Sequence, residues 1–327
     1  MTFIVHQVQK LTNLIESSLS KDLASILYCI FSILIMLSGM ILIKLNSGII
    51  AVSQVLTLRG VFELIANWVA DSQAFDSQFS KIDHKTMNLV LVRNMGANIK
   101  FFCMQMLLYK IPMSQIAVLD LSSIFFAGMV DVILNKTKYY LYEGITALVT
   151  AFGVILIVDP ALFGFEVPPT KNTIADQEYA HGLEKVFYVG LFVLTQITWA
   201  VSVGLVKKLR GVNVFALNLP SGMILILYGS FNQIVGGNFM NIGISTTIFF
   251  MVVLGFVGFA SKGCYIRGVQ LGKAGKVTTL SSLNVVFTLI FEVFYLDEYP
   301  SWPGVFGSVI IIAATIYLCL KKDETKK

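Results

Sequence analysis

Ten apolar stretches alternate with short polar connections along the chain, and each is long enough to cross a hydrocarbon core about 30 Å thick as a helix. We therefore predict an all-α integral membrane protein with ten transmembrane helices. The second stretch is unusual because it contains Arg59 and Glu63, which are spaced i,i+4 and can neutralise each other on one helix face. The predicted spans lie at roughly 23–44, 48–69, 87–110, 113–134, 140–159, 185–206, 213–235, 243–269, 273–296 and 301–320.

The composition excludes both a soluble globular domain and a disordered chain. Of the 327 residues, 56% are hydrophobic and 13% are charged, and the mean hydropathy is +0.78. Soluble domains are about 25% charged, so this chain has too few polar residues to coat a water-soluble particle. A disordered chain is excluded because so much apolar surface would collapse in water.

Two of the polar connections are longer than the others, and the second divides the predicted helices into two groups of five. At the N-terminus, apolar residues recur at helical spacing among polar ones. This pattern predicts an amphipathic helix on the membrane surface or, equally, a helical cap on the bundle. The predicted segments are an amphipathic N-terminal segment at 1–22, a first five-helix repeat at 23–159, a polar loop at 160–184, a second five-helix repeat at 185–320 and a lysine-rich cytosolic tail at 321–327.

A shift of 162 residues relates the two halves. It aligns 96–136 with 258–298 without a gap and places Lys100 on Lys262. A lysine deep in each of two apolar helices is rare, so this match carries more weight than the apolar identities around it. Since five is an odd number, homologous halves must have opposite orientations in the membrane, as in many secondary transporters. We therefore predict two inverted five-helix repeats.

The distribution of basic residues predicts that both termini face the cytosol. Placing the N-terminus there assigns 15 lysines and arginines to cytosolic segments and 4 to the opposite side, which follows the positive-inside rule. An even number of spans then returns the C-terminus to the cytosol. The choice between an endomembrane and the plasma membrane stays open.

Neither the cysteines nor the histidines form a recognisable motif. The four cysteines contain no C-x-x-C pair, and the three histidines lie outside the apolar stretches. We therefore predict no zinc site, disulfide framework or histidine triad, no metal or organic cofactor, and no enzymatic activity. The lysine-rich tail fits an orientation and headgroup signal, so no nucleic-acid partner is predicted.

Motifs in three parts of the chain resemble those of a known superfamily. They are Leu91-Val-Arg93 and Asp120-Leu-Ser-Ser-Ile-Phe125 in the first half, Leu205-Val-Lys-Lys-Leu-Arg210 at the sixth helix, and Lys273-Ala-Gly-Lys-Val277 and Leu296-Asp-Glu298 in the second half. On these motifs, over about residues 24–320, the chain resembles the drug/metabolite transporter superfamily with its EamA-like ten-helix fold. Within it, the chain is most similar to the G-type branch of solute carrier family 35.

The sequence departs from the family's pattern at several positions. Ser123 replaces a proline that is usual in the fourth helix, and Lys136 replaces the glutamate that usually closes it. The ninth helix has Ser281-Ser-Leu-Asn-Val285 where nucleotide-sugar members have Gly-Ala-Leu-Asn-Lys. It also has Val285-Val286 where phosphate translocators have a Lys-Arg pair. These departures argue against a nucleotide-sugar or sugar-phosphate substrate.

The resemblance implies a secondary transporter that moves a small polar metabolite by alternating access. We expect a central cavity walled by helices 3, 4, 8 and 9 with parts of helices 1, 6 and 7. Asp120 and Glu292 are acids within apolar helices and are the candidates for coupling by carrying a proton. The predicted partners are this small molecule and membrane lipid; a homodimer or a partner in a membrane complex stays an alternative. The candidate substrate-binding residues are Lys262, Lys100, Asp120, Asn284, Ser281, Trp199 and Asn218.

The two aligned lysines are expected to differ in their partners. Asp120 lies near the depth of Lys100 and can neutralise it, whereas the ninth helix offers no acid at the level of Lys262. An unpaired ammonium inside the membrane must face water, an acid or a substrate anion. We therefore expect Lys262 to contact the substrate, and the substrate to be anionic.

The other charges within the spans have plainer interpretations. The Arg59–Glu63 pair is expected to be structural, Arg93 either snorkels or faces the cavity, and Asp131 is expected to be solvated near a helix end. Two rival functions remain. One is a non-transporting membrane subunit or scaffold that keeps the fold, which the departures in the fourth helix motivate. The other is an integral-membrane enzyme, which lacks a nucleophile–base pair.

Overall fold

The structure, a computed structural model, describes residues 16–46, 49–73, 79–108, 116, 120, 122–136, 141–158, 182–236, 243–272, 277, 280–281, 283–296 and 302–320. Over these ranges it is all-α and contains no strand, which confirms the predicted class at that level. The helices described are α1 (Lys21–Leu45), α2 (Val52–Gln73), α3 (His84–Leu108), α4 (Ser122–Asn135), α5 (Leu141–Val158), α6 (Gly182–Lys208), α7 (Val214–Gly236), α8 (Ile244–Leu271), α9 (Leu283–Leu296) and α10 (Trp302–Leu320).

Each predicted apolar stretch overlaps one of these helices. Four described helices are long and apolar enough to cross a membrane, over Lys21–Leu45, Gly190–Lys208, Val214–Ile234 and Ile244–Leu271. The protein is therefore an integral membrane protein with several spans, while ten spans in two inverted repeats stay a prediction. Most of the predicted N-terminal segment and inter-repeat loop, and all of the lysine-rich tail, lie outside the described residues.

The ends of α1 show how the sequence starts and stops a helix. Ser20 precedes the first turn, and its side-chain oxygen accepts a hydrogen bond from the Leu23 N–H at 3.4 Å. Asp22 in that turn is favourable because helix N-termini carry partial positive charge. At the other end, the Asn46 side chain donates to the Leu42 carbonyl at 2.8 Å. Both contacts satisfy backbone groups that a helix end leaves unpaired.

The described helices pack in pairs that join the first five to the last five. The largest interface lies between α2 and α7, followed by those between α1 and α8, α5 and α10, and α3 and α6. Smaller interfaces join α2 to α8, α4 to α6, α3 to α7 and α1 to α9. Side chains reinforce one of them, because Ser25 and Ser32 of α1 donate to the carbonyls of Gly268 and Ser261 at 2.7 and 2.8 Å.

Two glycines set the close approach of α2 and α7. A Cβ atom on Gly60 would lie 2.9 Å from the Gly222 carbonyl oxygen, and one on Gly222 would lie 2.8 Å from the Gly60 carbonyl oxygen. Neither helix could come this near with a larger residue at the crossing, which is a common role of small residues in membrane helix interfaces. A similar contact joins Gly153 of α5 to Gly307 of α10.

The polarity of the bundle is the reverse of that of a soluble protein. Large apolar side chains such as Ile234 and Trp302 point outward and are mostly exposed. Charged side chains such as Arg59, Glu63 and Arg93 are buried. An apolar outer surface is suited to contact with lipid, and the charged side chains face the interior of the bundle.

Candidate functional site

A cavity between the helices encloses about 880 Å³ of empty space, including the part that opens to the outside. Side chains from α1, α2, α3, α6, α7, α8 and α9 line it, together with Asp120 and Ser281, which precede α4 and α9. Much of its wall is apolar or aromatic. Six of the seven predicted substrate-binding residues line it, namely Lys262, Lys100, Asp120, Asn284, Ser281 and Trp199.

Lys262 of α8 takes part in a buried network with α2, α3 and α7. Its Nζ lies 2.8 Å from Glu63 Oε2, 2.7 Å from Ser221 Oγ and 3.2 Å from Asn98 Oδ1. The other carboxylate oxygen of Glu63 accepts from Arg59 Nε at 2.6 Å. Glu63 is fully buried and is shared by two cations.

This network corrects one expectation from the sequence. No described side chain of α9 offers an acid to Lys262, but Glu63 of α2 contacts it, so Lys262 is not an unpaired ammonium. The predicted Arg59–Glu63 pair does form. It is not remote from the cavity, however, because Arg59 lines the wall and its Cζ lies 4.0 Å from the centre of the Phe101 ring.

A second ion pair joins Lys100 to Asp120, as the sequence indicated. Lys100 Nζ lies 2.5 Å from Asp120 Oδ1 and 4.3 Å from the centre of the Trp199 ring. A cation over an aromatic face is attracted by the ring's electron density. Trp199 in turn packs against Tyr265, with ring centres 5.2 Å apart. Together, the side chains of Lys100, Asp120, Trp199 and Tyr265 form one charged and aromatic section of the wall.

Arg93 is buried in the wall, and no carboxylate of the described residues forms an ion pair with it. Its Nη1 donates to the side-chain oxygens of Asn94 at 2.8 Å and Asn218 at 3.0 Å, and its Nε is buried without a hydrogen-bond partner. None of the ion pairs that the structure describes includes Arg93. The snorkelling interpretation is wrong, because the residue is only 4% exposed and is held by neutral amides.

The charges of the cavity do not balance. Among the described residues, four cations and one carboxylate line the wall, with Glu63 as a second carboxylate behind it. Four positive and two negative charges leave an excess of two positive charges. The cations are Arg59, Arg93, Lys100 and Lys262. Because charge within a membrane is costly unless it is compensated, this excess favours an anionic ligand.

The remaining predicted residues fall in different places. Asn218 stands behind the wall and orients Arg93. The side chain of Glu292 lies outside the described part of the structure, although its backbone belongs to α9. Asp131 is not solvated, because it is buried and its Oδ2 accepts from Lys207 Nζ at 2.6 Å.

Two features of the cavity escaped prediction from the sequence. One is the contribution of α2, which the sequence suggested only through the two charges in an otherwise apolar stretch. The other is Tyr265, whose hydroxyl is buried without a partner although the residue lines the cavity. Nothing in the local sequence distinguishes this tyrosine from the many aromatic residues of the spans.

Comparisons with known proteins agree with this architecture. The model of the EamA-like transporter family matches residues 186–320. Solute carrier family 35 member G1 from Mus musculus is 26% identical over 189 residues, which cover 55% of this chain and 47% of that protein. The Homo sapiens protein of the same name is 25% identical over 215 residues, which cover 63% of this chain and 54% of that protein. The chain thus spans about half the length of the curated relatives that it matches.

A solved crystal structure of another protein shares the fold. It aligns with a TM-score of 0.71 over 90% of this chain and 98% of its own, at 13% sequence identity. The likeness at this identity concerns the fold alone. The family match and the four long apolar helices define the class: an integral membrane protein with an EamA-like domain over 186–320. The resemblance to the drug/metabolite transporter superfamily and to solute carrier family 35 is therefore confirmed.

Proposed function

We propose that the protein is a secondary transporter that moves a small organic anion across a membrane by alternating access. The observation that carries this proposal is the excess of two positive charges among the described side chains around the cavity. Charge within a membrane bundle is costly, so it needs compensating negative charge from an acid or a bound anion. An anionic substrate would supply it.

The likeness to EamA-like transporters and to relatives named as solute carriers supports the transport part of the proposal. The cavity itself supports the substrate part, because charged and polar side chains converge on a wall whose surface area is mostly apolar, as in small-molecule sites. We infer no enzymatic activity, since the relatives are transporters.

Helix packing supports the proposal that the halves are inverted repeats. Exchanging α1–α5 for α6–α10 converts the α1–α8 interface into α6–α3, and α2–α8 into α7–α3. The α2–α7 and α5–α10 interfaces convert into themselves. Gly60 and Gly222, which meet at the α2–α7 crossing, are themselves separated by the 162-residue shift. Transporters built in this way alternate access by moving one repeat against the other around a central site.

Coupling and topology complete the proposal. Asp120 or Glu292 carries a proton during transport, and loss of the negative charge on Asp120 would release Lys100 from its ion pair. Both termini face the cytosol. The partners are the transported anion and membrane lipid.

Uptake by purified protein in liposomes tests the function. Saturable uptake of at least one organic anion, above that of empty liposomes and of neutral analogues, is the expected result. Absence of uptake across a broad panel of anions, by protein that is folded and inserted, would favour the alternative of a membrane subunit or scaffold that keeps the fold without transport.

A further inference from the structure

We propose that Arg93, Tyr265 and Asn284 form the subsite that recognises the substrate, and that the substrate is a carboxylate that also carries a neutral hydrogen-bond donor. This inference rests on the proposed function and names the chemistry that the transporter selects. It moves the principal anion contact from Lys262 to Arg93.

The four cations of the cavity differ in whether they already contact a carboxylate. Lys262 and Arg59 share Glu63, and Lys100 binds Asp120, so three of the four cations already contact a carboxylate. The hydrogen bonds of the Arg93 guanidinium to described residues go to two amide oxygens. It is therefore the cation in the described part of the wall whose charge no carboxylate contacts directly, and a substrate anion would gain most by binding there.

The free edge of the Arg93 guanidinium matches the shape of a carboxylate. Both hydrogen bonds that its guanidinium donates to described residues use Nη1, and its Nε is buried without a hydrogen-bond partner among them. The Nε–Nη2 edge presents parallel N–H groups, which match the two oxygens of a carboxylate. Asn94 and Asn218 hold the opposite corner, so the free edge is fixed in position before a ligand arrives.

Two further polar atoms of the cavity wall have no hydrogen-bond partner among the described residues. The Tyr265 hydroxyl and Asn284 Oδ1 are both buried and unsatisfied, and both residues line the same cavity as Arg93. A buried polar atom without a partner is costly, and its retention is explained if a ligand satisfies it. Tyr265 can donate to a carboxylate oxygen, whereas Asn284 Oδ1 only accepts and so requires a donor on the ligand.

The charge of the cavity determines which kind of hydrogen-bond donor on the ligand suits Asn284. An ammonium group would add positive charge to a cavity whose described side chains already carry an excess of two positive charges. A hydroxyl or an amide N–H supplies the hydrogen bond without that repulsion. The subsite therefore favours hydroxylated or amide-bearing carboxylates over both simple carboxylates and zwitterionic amino acids.

Trp199 offers a direct readout of binding to the full-length protein. The chain has three tryptophans, and Trp68 and Trp302 are exposed on the outer surface, whereas Trp199 lines the cavity. A Trp68→Phe/Trp302→Phe background leaves Trp199 as the only indole. Its fluorescence in detergent or nanodiscs can be titrated with matched probes: lactate against propionate, malate against succinate, and N-acetylglycine against glycine.

The expected result is tighter binding of the hydroxylated or amide-bearing member of each pair. Arg93→Gln should weaken the tightest probe about 10- to 100-fold, since hydrogen bonds to a charged group are worth about 1.5–3 kcal/mol. Arg93→Lys should restore only part of the affinity, because it keeps the charge and loses the paired N–H groups. Arg267→Gln is the matched control, because Arg267 pairs with Glu16 away from the cavity, and it should bind normally.

Asn284→Leu keeps the test decisive if Arg93 variants fail to fold. It should abolish the preference between pair members while simple carboxylates still bind. Equal binding of both members to the wild type, unchanged affinity in Arg93→Gln, or no binding of any carboxylate would overturn the inference. Anion uptake in liposomes that persists in Arg93→Gln would overturn this subsite alone, whereas binding without any uptake would overturn the proposed transport.

Discussion

Glu63 of α2 binds Lys262 of α8 inside the bundle, with 2.8 Å between Glu63 Oε2 and Lys262 Nζ. The same carboxylate binds Arg59 on its other oxygen. Glu63 is therefore the shared anion of two cations, and it joins two helices that also pack against each other. Because Glu63 is fully buried, water cannot take the place of its carboxylate beside the two cations.

We predict that Glu63→Gln destabilises the protein more than Lys262→Met does. The first change leaves two buried cations without a carboxylate, which costs about 3–5 kcal/mol, whereas the second leaves Glu63 paired with Arg59. Thermal unfolding of the purified variants in one detergent measures the difference. The double variant Glu63→Gln/Lys262→Met should regain part of the loss, and a double variant less stable than Glu63→Gln would contradict the shared-anion arrangement.

The Lys100–Asp120 pair is expected to be energetically coupled. Lys100→Met and Asp120→Asn should each reduce stability, and the double variant should lose less than the sum by about 0.5–3 kcal/mol, because each single change orphans the other group. Thermal unfolding gives the stability cycle. Additive losses would show that the 2.5 Å contact carries no net interaction.

Asp120→Asn also tests coupling to protons. If Asp120 carries the proton, the variant should respond less than the wild type to an imposed pH gradient in liposome uptake. Glu292→Gln is the parallel variant. An unchanged response in both would place coupling elsewhere or indicate plain exchange.

The α2–α7 crossing is predicted to tolerate no side chain at Gly222. A Cβ there would lie 2.6 Å from the Leu64 backbone nitrogen, so Gly222→Ala should destabilise by about 1–3 kcal/mol. Gly263→Ala is the matched control on α8, since nothing lies within 4 Å of its Cβ position. Equal thermal stability of the two variants would show that the helices do not meet as closely as described.

The proposed topology predicts the position of three tags. Tags at both termini should be accessible to protease from the cytosolic side, whereas a tag within 170–180 should be protected until the membrane is permeabilised. Termini on opposite sides would require an odd number of spans and would contradict the arrangement of two five-helix halves.

The helices were predictable because length and hydropathy are local properties of the sequence. The Lys100–Asp120 pair was predictable because the turn between two consecutive helices brings the residues to similar depth. The partner of Lys262 was not, since Glu63 lies 199 residues away and reaches it only through the packing of α2 on α8. Sequence order alone does not specify which non-consecutive helices meet.

Arg93 illustrates a second limit. Its position near a helix end was compatible with snorkelling to the headgroups, and only the packing of α7 on α3 shows that Asn218 holds it inside. Tyr265 became a candidate only through its unsatisfied hydroxyl, and Asn284, already predicted from the sequence, gained a specific role through its unsatisfied Oδ1. Both observations depend on what every neighbouring helix does or does not provide. Unsatisfied donors and acceptors of this kind are therefore properties of the assembled bundle and cannot be read from the sequence of one helix.

The central claim is that a positively charged cavity carries an organic anion across the membrane. Its most direct test is the initial rate of uptake of labelled organic anions, matched neutral analogues and cations by proteoliposomes of the wild type. We expect saturable uptake of an anion that other carboxylates inhibit. Arg93→Gln should reduce this uptake at least about tenfold, in line with the loss of one charge-assisted contact. Uptake restricted to neutral or cationic solutes would contradict it.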